Sequence, residues 1–163
     1  MRIPTATYRL QFHKDFGFTQ AKELVDYLQA LGITDLYASP IFKARAGSLH
    51  GYDVVDPNRI NPELGGVEEF SALTEELRRR DMGWLQDIVP NHMAYDSENR
   101  MLMDVLENGP NSMFASFFDI EWDHPFESMR GKILAPCLGE FYGQCLENGE
   151  LILRYDAQGM AVH

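Results

Sequence analysis

An α/β fold built on parallel strands is what this sequence predicts, and three observations predict it. Apolar runs and amphipathic helical stretches follow one another in the order strand, helix, strand, long loop, helix, strand. Two of the runs, Ile33 to Ala38 and Trp84 to Val89, are largely apolar and each is closed by a proline, as strands buried on both faces are. The helical stretches between them carry their apolar residues on one face. An α/β sheet or a barrel satisfies this order.

Each element has its own reason. Tyr8, Leu10 and Phe12 alternate with Arg9 and Gln11, the period of a half-buried strand that Pro4 precedes. After Phe16 and Gly17, Thr19 is the expected N-cap of a helix whose apolar face is Ala21, Leu24, Val25, Leu28 and Leu31, and Gly32 ends it. Val67, Phe70, Leu73 and Leu77 trace a second helix that finishes in Arg78, Arg79 and Arg80. The stretch between Pro40 and Gly66 has no strong period, and a loop of that length inside a domain is usually functional or disordered; Phe42, Tyr52 and the run HGYD argue for function. Beyond residue 93 the pattern changes. A short helix is expected from Met101 to Glu107, a break at Gly109 and Pro110, then a hairpin of Gln144 to Glu147 with Glu150 to Leu153 about Asn148-Gly149. Asp156 to Gly159 reads as another turn, with Met160 to Val162 beginning a further strand. The domain expectation is therefore 1–93 for the parallel α/β part and 94–163 for a small α+β insertion.

Composition limits the function. The 163 residues with 45% apolar content suit a folded domain with a core. A balance of 25 acidic to 14 basic residues, net −11, repels phosphate backbones and anionic lipid, so neither nucleic acid nor membrane is an expected partner. No apolar run is long enough to span a bilayer, and the start MRIPTATYRL lacks the features of a secretory signal, so a cytoplasmic location is expected. Cys137 and Cys145 lack a flanking His/Cys cluster, so neither a zinc site nor a disulfide framework is indicated, and both read as reduced, structural thiols. There is no glycine-rich phosphate loop, no serine flanked by glycines on a strand-to-helix turn, and no His/Glu zinc motif.

Ligands of α/β sheets and barrels bind at the carboxyl ends of the strands. Two constellations fall there. One is SLHGYD, Ser48 to Asp53, after the second strand; the other is DIVPNH, with Asp87 in the third strand and Asn91 and His92 just past it. Asn, His, Asp and Tyr are the side chains a sugar site needs, because hydroxyls donate and accept hydrogen bonds and pyranose faces pack on aromatic rings. Taken singly, each has a plainer reading. His50 suits a solvated turn, Gly51 a positive φ, Asn91 and His92 a cap, Asp53 and Asp56 an ordinary loop. Asp87 within an apolar strand needs a partner, structural or catalytic, since an unpaired buried carboxylate costs several kcal/mol.

Together, at this spacing, the two constellations resemble the α-amylase superfamily of glycoside hydrolases and transglycosidases. DIVPNH is similar to the first conserved region at that superfamily's third barrel strand, and HGYD to the loop lining the subsite of the reacting sugar. The longer runs ATYRLQF, YASPIFKARAGSLHGYDVVDPNRINPELGG and DIVPNHM are similar to the maltooligosyltrehalose synthase branch, strongly over about residues 3–95 and more loosely beyond. The resemblance implies the first part of a (β/α)8 TIM barrel, three strands and two helices, followed by the beginning of an inserted domain B. A complete barrel of this kind takes about 250 residues.

It further implies an isomerase: a retaining intramolecular transglycosylase that turns the reducing-end α-1,4 linkage of a maltooligosaccharide into an α,α-1,1 linkage. His50, Tyr52, Asp53, Asn91 and His92 would bind substrate. Tyr52 would stack on the reacting ring, His50 line its subsite and His92 bond its hydroxyls, while Asp87 and Asn91 fix the strand end, Asp87 pairing with an arginine later in the barrel. The position of Asn91 helps hold calcium in some amylases, but the resemblance to this branch implies no metal and no cofactor. The catalytic carboxylates belong to later strands, so by the resemblance none lies in this chain and the chain alone is inactive and prone to self-association. The alternatives are a piece of an amylase-type glucan hydrolase and a non-catalytic glucan-binding module.

Overall fold

The computed structural model describes residues 3–135, 137–157 and 159–162, and the chain divides into two compact units, Met1–Phe118 and Asp119–His163. The first unit is a three-stranded parallel sheet, β1 (Thr7–Leu10), β2 (Asp35–Ala38) and β5 (Gly83–Gln86), in the order β1-β2-β5. Its rungs run Arg9↔Tyr37↔Leu85 and Leu10↔Ala38↔Gln86. Alternation along the strands sends Leu10, Leu36, Ala38 and Trp84 to one face, where the helices α1 (Phe18–Glu23), α2 (Val25–Ala30) and α3 (Gly66–Arg79) cover them. Phe12, Phe18, Val25, Leu28, Leu73 and Leu77 complete that core. Phe18 and Trp84 each lie with ring centroids 5.3 Å from Phe70, Trp84 edge-on. At about 25 cal/mol per Å² of apolar surface, this layer is the main source of stability in the unit. Thr7, Arg9, Tyr37 and Leu85 occupy the opposite face, and there Leu85 remains partly exposed.

Four expectations are corrected in this unit. The first helix is two: Leu24, with φ −86° and ψ −10°, donates its N–H to Ala21 rather than one residue further back, and the chain re-enters helix at Val25. Its N-cap is Gly17, not Thr19. The Gln20 side chain reaches back to accept from the Gly17 N–H at 2.9 Å, and a Cβ at Gly17 would stand 2.5 Å from the Leu64 carbonyl, so the close approach of two segments selects glycine. Thr19 instead donates to Glu69 of α3 at 2.5 Å.

The long loop holds structure of its own. β3 (Phe42–Ala44) and β4 (Val54–Ile60) form an antiparallel ribbon with register shifts on either side of Lys43, followed by a 3₁₀ turn at Pro62–Leu64 whose N-cap, Asn61, accepts from the Glu63 N–H. The third parallel strand stops at Gln86 rather than Val89. Asp87 still donates its N–H to Ala38 at 2.9 Å, but the Gln86 amide takes the carbonyls of Asp87 and Ser39 and the ladder ends.

The helix expected at Met101 to Glu107 is α4 (Arg100–Asn108), capped by the Asn99 side chain and ended at Gly109. Within the second unit, the expected hairpin about Asn148-Gly149 is a helix end instead. α5 (Tyr142–Glu147) terminates at Asn148, and Gly149, at φ +70°, supplies the left-handed residue that closes it, with Glu150 N–H returning to the Cys145 carbonyl. An Asn-Gly pair serves a helix C-terminus as well as a two-residue turn. The later hairpin is present, β6 (Leu153–Asp156) against β7 (Gly159–Val162). Both cysteines are free; Cys145 is buried, as a structural thiol should be, whereas Cys137 is exposed. Among the described residues no helix is long and apolar enough to cross a membrane.

Candidate functional site

At the carboxyl end of the parallel strands, one carboxylate oxygen gathers three donors. Asp87 is the first residue past β5, and its Oδ2 accepts from the Tyr52 hydroxyl at 2.5 Å and the Tyr37 hydroxyl at 3.3 Å, with Arg9 Nη2 at 3.5 Å. Arg9 also donates to the Tyr52 oxygen at 2.9 Å and lies over the Tyr37 ring, 5.5 Å from its centroid. Among the described residues, the arginine beside Asp87 is Arg9 on β1. Three strands and the loop after β2 meet in this cluster, and the Asp87 side chain is only 17% exposed.

The electrostatics follow from the contacts. The bond to Asp87, and then burial, push the Tyr52 phenol above its ordinary value, while Arg9 pulls it the other way. Burial lowers the Arg9 guanidinium, and its bonds to Tyr52, Tyr37 and Asp87 outweigh that and hold it above its ordinary value. Tyr52 thus stays protonated as a donor and Arg9 charged.

The loop SLHGYD is held by its own side chains. Ser48 Oγ donates to the Asp53 carboxylate and accepts from the Gly51 N–H at 3.1 Å. Asp53 also lies 3.7 Å from Arg45 Nε, and its carbonyl accepts from the Arg45 N–H. Gly51 has φ +77°, and a Cβ there would stand 2.7 Å from the Pro40 carbonyl, so no other residue fits. Just past β1, Gln11 donates to the His50 and Leu49 carbonyls at 3.2 and 3.4 Å, tying the loop to the strand end. His50 Nδ1 accepts from the Tyr52 N–H at 3.1 Å, which leaves the ring proton on Nε2, and the two rings stack at 6.0 Å and 30°.

Of the residues singled out by sequence, His50, Tyr52, Asp53 and Asp87 are brought together in this way. Asn91 and His92 are both exposed and lie against each other: Asn91 Oδ1 is 3.0 Å from His92 Nδ1. His92 lines a hollow of about 250 Å³ with Pro40, Phe42, Ile88 and Pro90. Sequence reasoning missed Arg9, Tyr37 and Gln11. A charged residue alternating with Tyr8 and Leu10 in a strand of the parallel sheet was the available signal for Arg9.

What the arrangement offers a ligand is an aromatic pair beside a carboxylate, a guanidinium and an imidazole N–H, the chemistry of polyol binding. The profile of the alpha amylase catalytic domain matches residues 19–143. The chain belongs to the α-amylase family. A putative maltooligosyl trehalose synthase of Mycobacterium tuberculosis is 41% identical over 97% of this chain. The solved maltooligosyltrehalose synthase of Arthrobacter ramosus superimposes with a TM-score of 0.82 and 38% identity over 98% of it. An intracellular maltogenic amylase of Bacillus subtilis is 36% identical over 59% of this chain. The chain spans 23% of the mycobacterial relative and 20% of the Arthrobacter structure. The Tyr52 cluster lies at the carboxyl ends of the parallel strands, the end at which α/β folds place their ligands.

Proposed function

We propose that this chain is the amino-terminal part of a maltooligosyltrehalose synthase, an isomerase that converts the reducing-end α-1,4 linkage of a maltooligosaccharide into an α,α-1,1 linkage. The observation that carries the choice within the family is extent: similarity to the synthases runs over 97–98% of the chain, including the second unit, whereas similarity to the maltogenic amylase covers 59%. In this reading the sheet is the start of the (β/α)8 barrel and residues 94–163 begin domain B. Trapped intramolecular transfer needs a nucleophile and an acid/base about 5 Å apart and a site that keeps water out. Asp87 is unsuited to either role, because its Oδ2 is occupied by three donors. It and Arg9 position Tyr52, whose ring face takes the sugar; His50 offers Nε2–H, and Asn91 and His92 complete the hydroxyl contacts. The catalytic carboxylates come from later strands, so the chain alone is inactive. Two free thiols suit a reducing, cytoplasmic setting.

The test is direct. The full-length protein given maltopentaose should lose reducing ends without releasing glucose; a rise in reducing ends would make it a hydrolase instead. The chain alone should show no turnover. Maltopentaose titrated into the chain and into Tyr52→Ala separates a glucan site from an inert surface: binding that is lost on substitution supports the reading, and identical curves overturn it. The uncovered sheet face with Leu85, and the exposed Ile88 beyond it, should make the isolated chain self-associate, and a monodisperse monomer in sedimentation would contradict that.

A further inference from the structure

A second cavity, of about 530 Å³, opens between the β3–β4 ribbon and the start of α4, and it shares no residue with the Tyr52, Asp87 and Arg9 cluster. We infer that it binds a small phosphorylated molecule of sugar size. The volume lies within the range of small-molecule sites, about 300–1,000 Å³.

Charge decides the ligand class. Five charged residues line the cavity: Lys43, Asp56, Arg59, Glu98 and Arg100. Lys43 and Glu98 neutralise each other at 2.8 Å, and Glu98 also accepts from the Ala46 N–H at 3.1 Å. Asp56 is engaged in its own turn, accepting from the Asn58 N–H at 3.0 Å. The guanidiniums of Arg59 and Arg100 have neither an ion pair nor a hydrogen bond to any described residue. With Lys43 and Glu98 cancelling, Arg59 and Arg100 outweigh Asp56, so in a chain of net charge −11 this wall carries a local excess of positive charge. A neutral glucan would use them only as hydrogen-bond donors to hydroxyls, whereas the planar guanidinium fork matches both the charge and the oxygens of a phosphate.

The rest of the wall agrees with an organic phosphate rather than a bare ion. Arg100 is the first residue of α4, and both it and Met101 line the cavity, so the positive end of that helix adds to the field. Phe114 offers a ring for a sugar face, and Asn58 a side-chain amide for hydroxyls.

The experiment is calorimetric titration of the full chain with glucose 6-phosphate, inorganic phosphate and glucose, repeated on Arg59→Gln, Arg100→Gln and the double variant. Both arginines are exposed, so the variants should fold as the parent does, which thermal unfolding checks. Saturable binding of glucose 6-phosphate, tighter than inorganic phosphate, absent for glucose and weakened roughly tenfold by each substitution, is the expected result. Equal affinity for inorganic phosphate, binding of glucose as tight as its phosphate, titrations unchanged in the double variant, or no binding at all would each overturn the assignment.

Discussion

Removing one oxygen atom at Tyr52 tests the whole cluster. Tyr52→Phe keeps the ring and its stacking on His50 but deletes the hydroxyl that donates to Asp87 at 2.5 Å and accepts from Arg9 at 2.9 Å. A hydrogen bond to a charged partner contributes about 1.5–3 kcal/mol. The Asp87 side chain is 17% exposed and Arg9 37%, so water replaces part of the loss, and the lower end applies, about 1.5–2 kcal/mol. What remains on Oδ2, Tyr37 at 3.3 Å and Arg9 at 3.5 Å, is too long to compensate. For a domain of this size the midpoint of thermal unfolding should fall by about 3–8 °C. Circular dichroism of Tyr52→Phe, Asp87→Asn and the double variant gives the coupling directly, and the two losses should be strongly non-additive. A midpoint within about 1 °C of the parent, or additive losses, would refute the claim that the phenol and the carboxylate hold the loop to the strand end.

Other outcomes follow from the same contacts. The Tyr52 phenol should titrate above the ordinary value of about 10, and Asp87→Asn should bring it down, which ultraviolet difference titration against Tyr52→Phe would read. Because the folded value is raised, that group's contribution to stability is present below the unfolded value and declines as pH rises past it toward the folded one. Glu98 has the opposite sign. Its carboxyl is held low by Lys43 first and the Ala46 N–H second, so its contribution is present above the ordinary carboxylate value and is lost as pH falls through the folded one. Lys43→Ala should therefore move the acid unfolding midpoint to higher pH, and an unmoved midpoint would contradict the pairing. Gly51→Ala adds a Cβ 2.7 Å from the Pro40 carbonyl at a positive φ; it should lower the unfolding midpoint and weaken maltopentaose binding at least as much as Tyr52→Phe does.

Much of the parallel layer was legible because burial on one face imposes a period. Leu73 and Leu77 announced α3, and the apolar run to Ala38 announced β2, since each had to reach the same core. The ribbon inside the long loop was hidden because its pairing shifts on both sides of Lys43, and Pro57 interrupts β4, so no alternation survives in the sequence. Asn148-Gly149 misled for a different reason: a left-handed glycine closes helices and hairpins alike, and only the neighbours' packing tells them apart. In the site, His50, Tyr52 and Asp87 were visible as polar residues just past strands. Arg9 was not, because a strand read as half-buried assigns its charged residue to water, and only the register beside Tyr37 shows what it faces.

The strand order β1-β2-β5 also sets a timetable. Each strand docks on the one synthesised before it, so the layer grows in a single direction as the chain leaves the ribosome. When β5 has joined, its outer rim presents unpaired peptide groups from Gly83 to Gln86, and no strand among the described residues from Asp87 to His163 comes to cover them. At 5–20 residues per second that stretch alone takes about 4–15 s to make. For those seconds the nascent protein carries a bare strand edge, and whatever shields it then belongs to the cell's handling of the chain as much as to the fold.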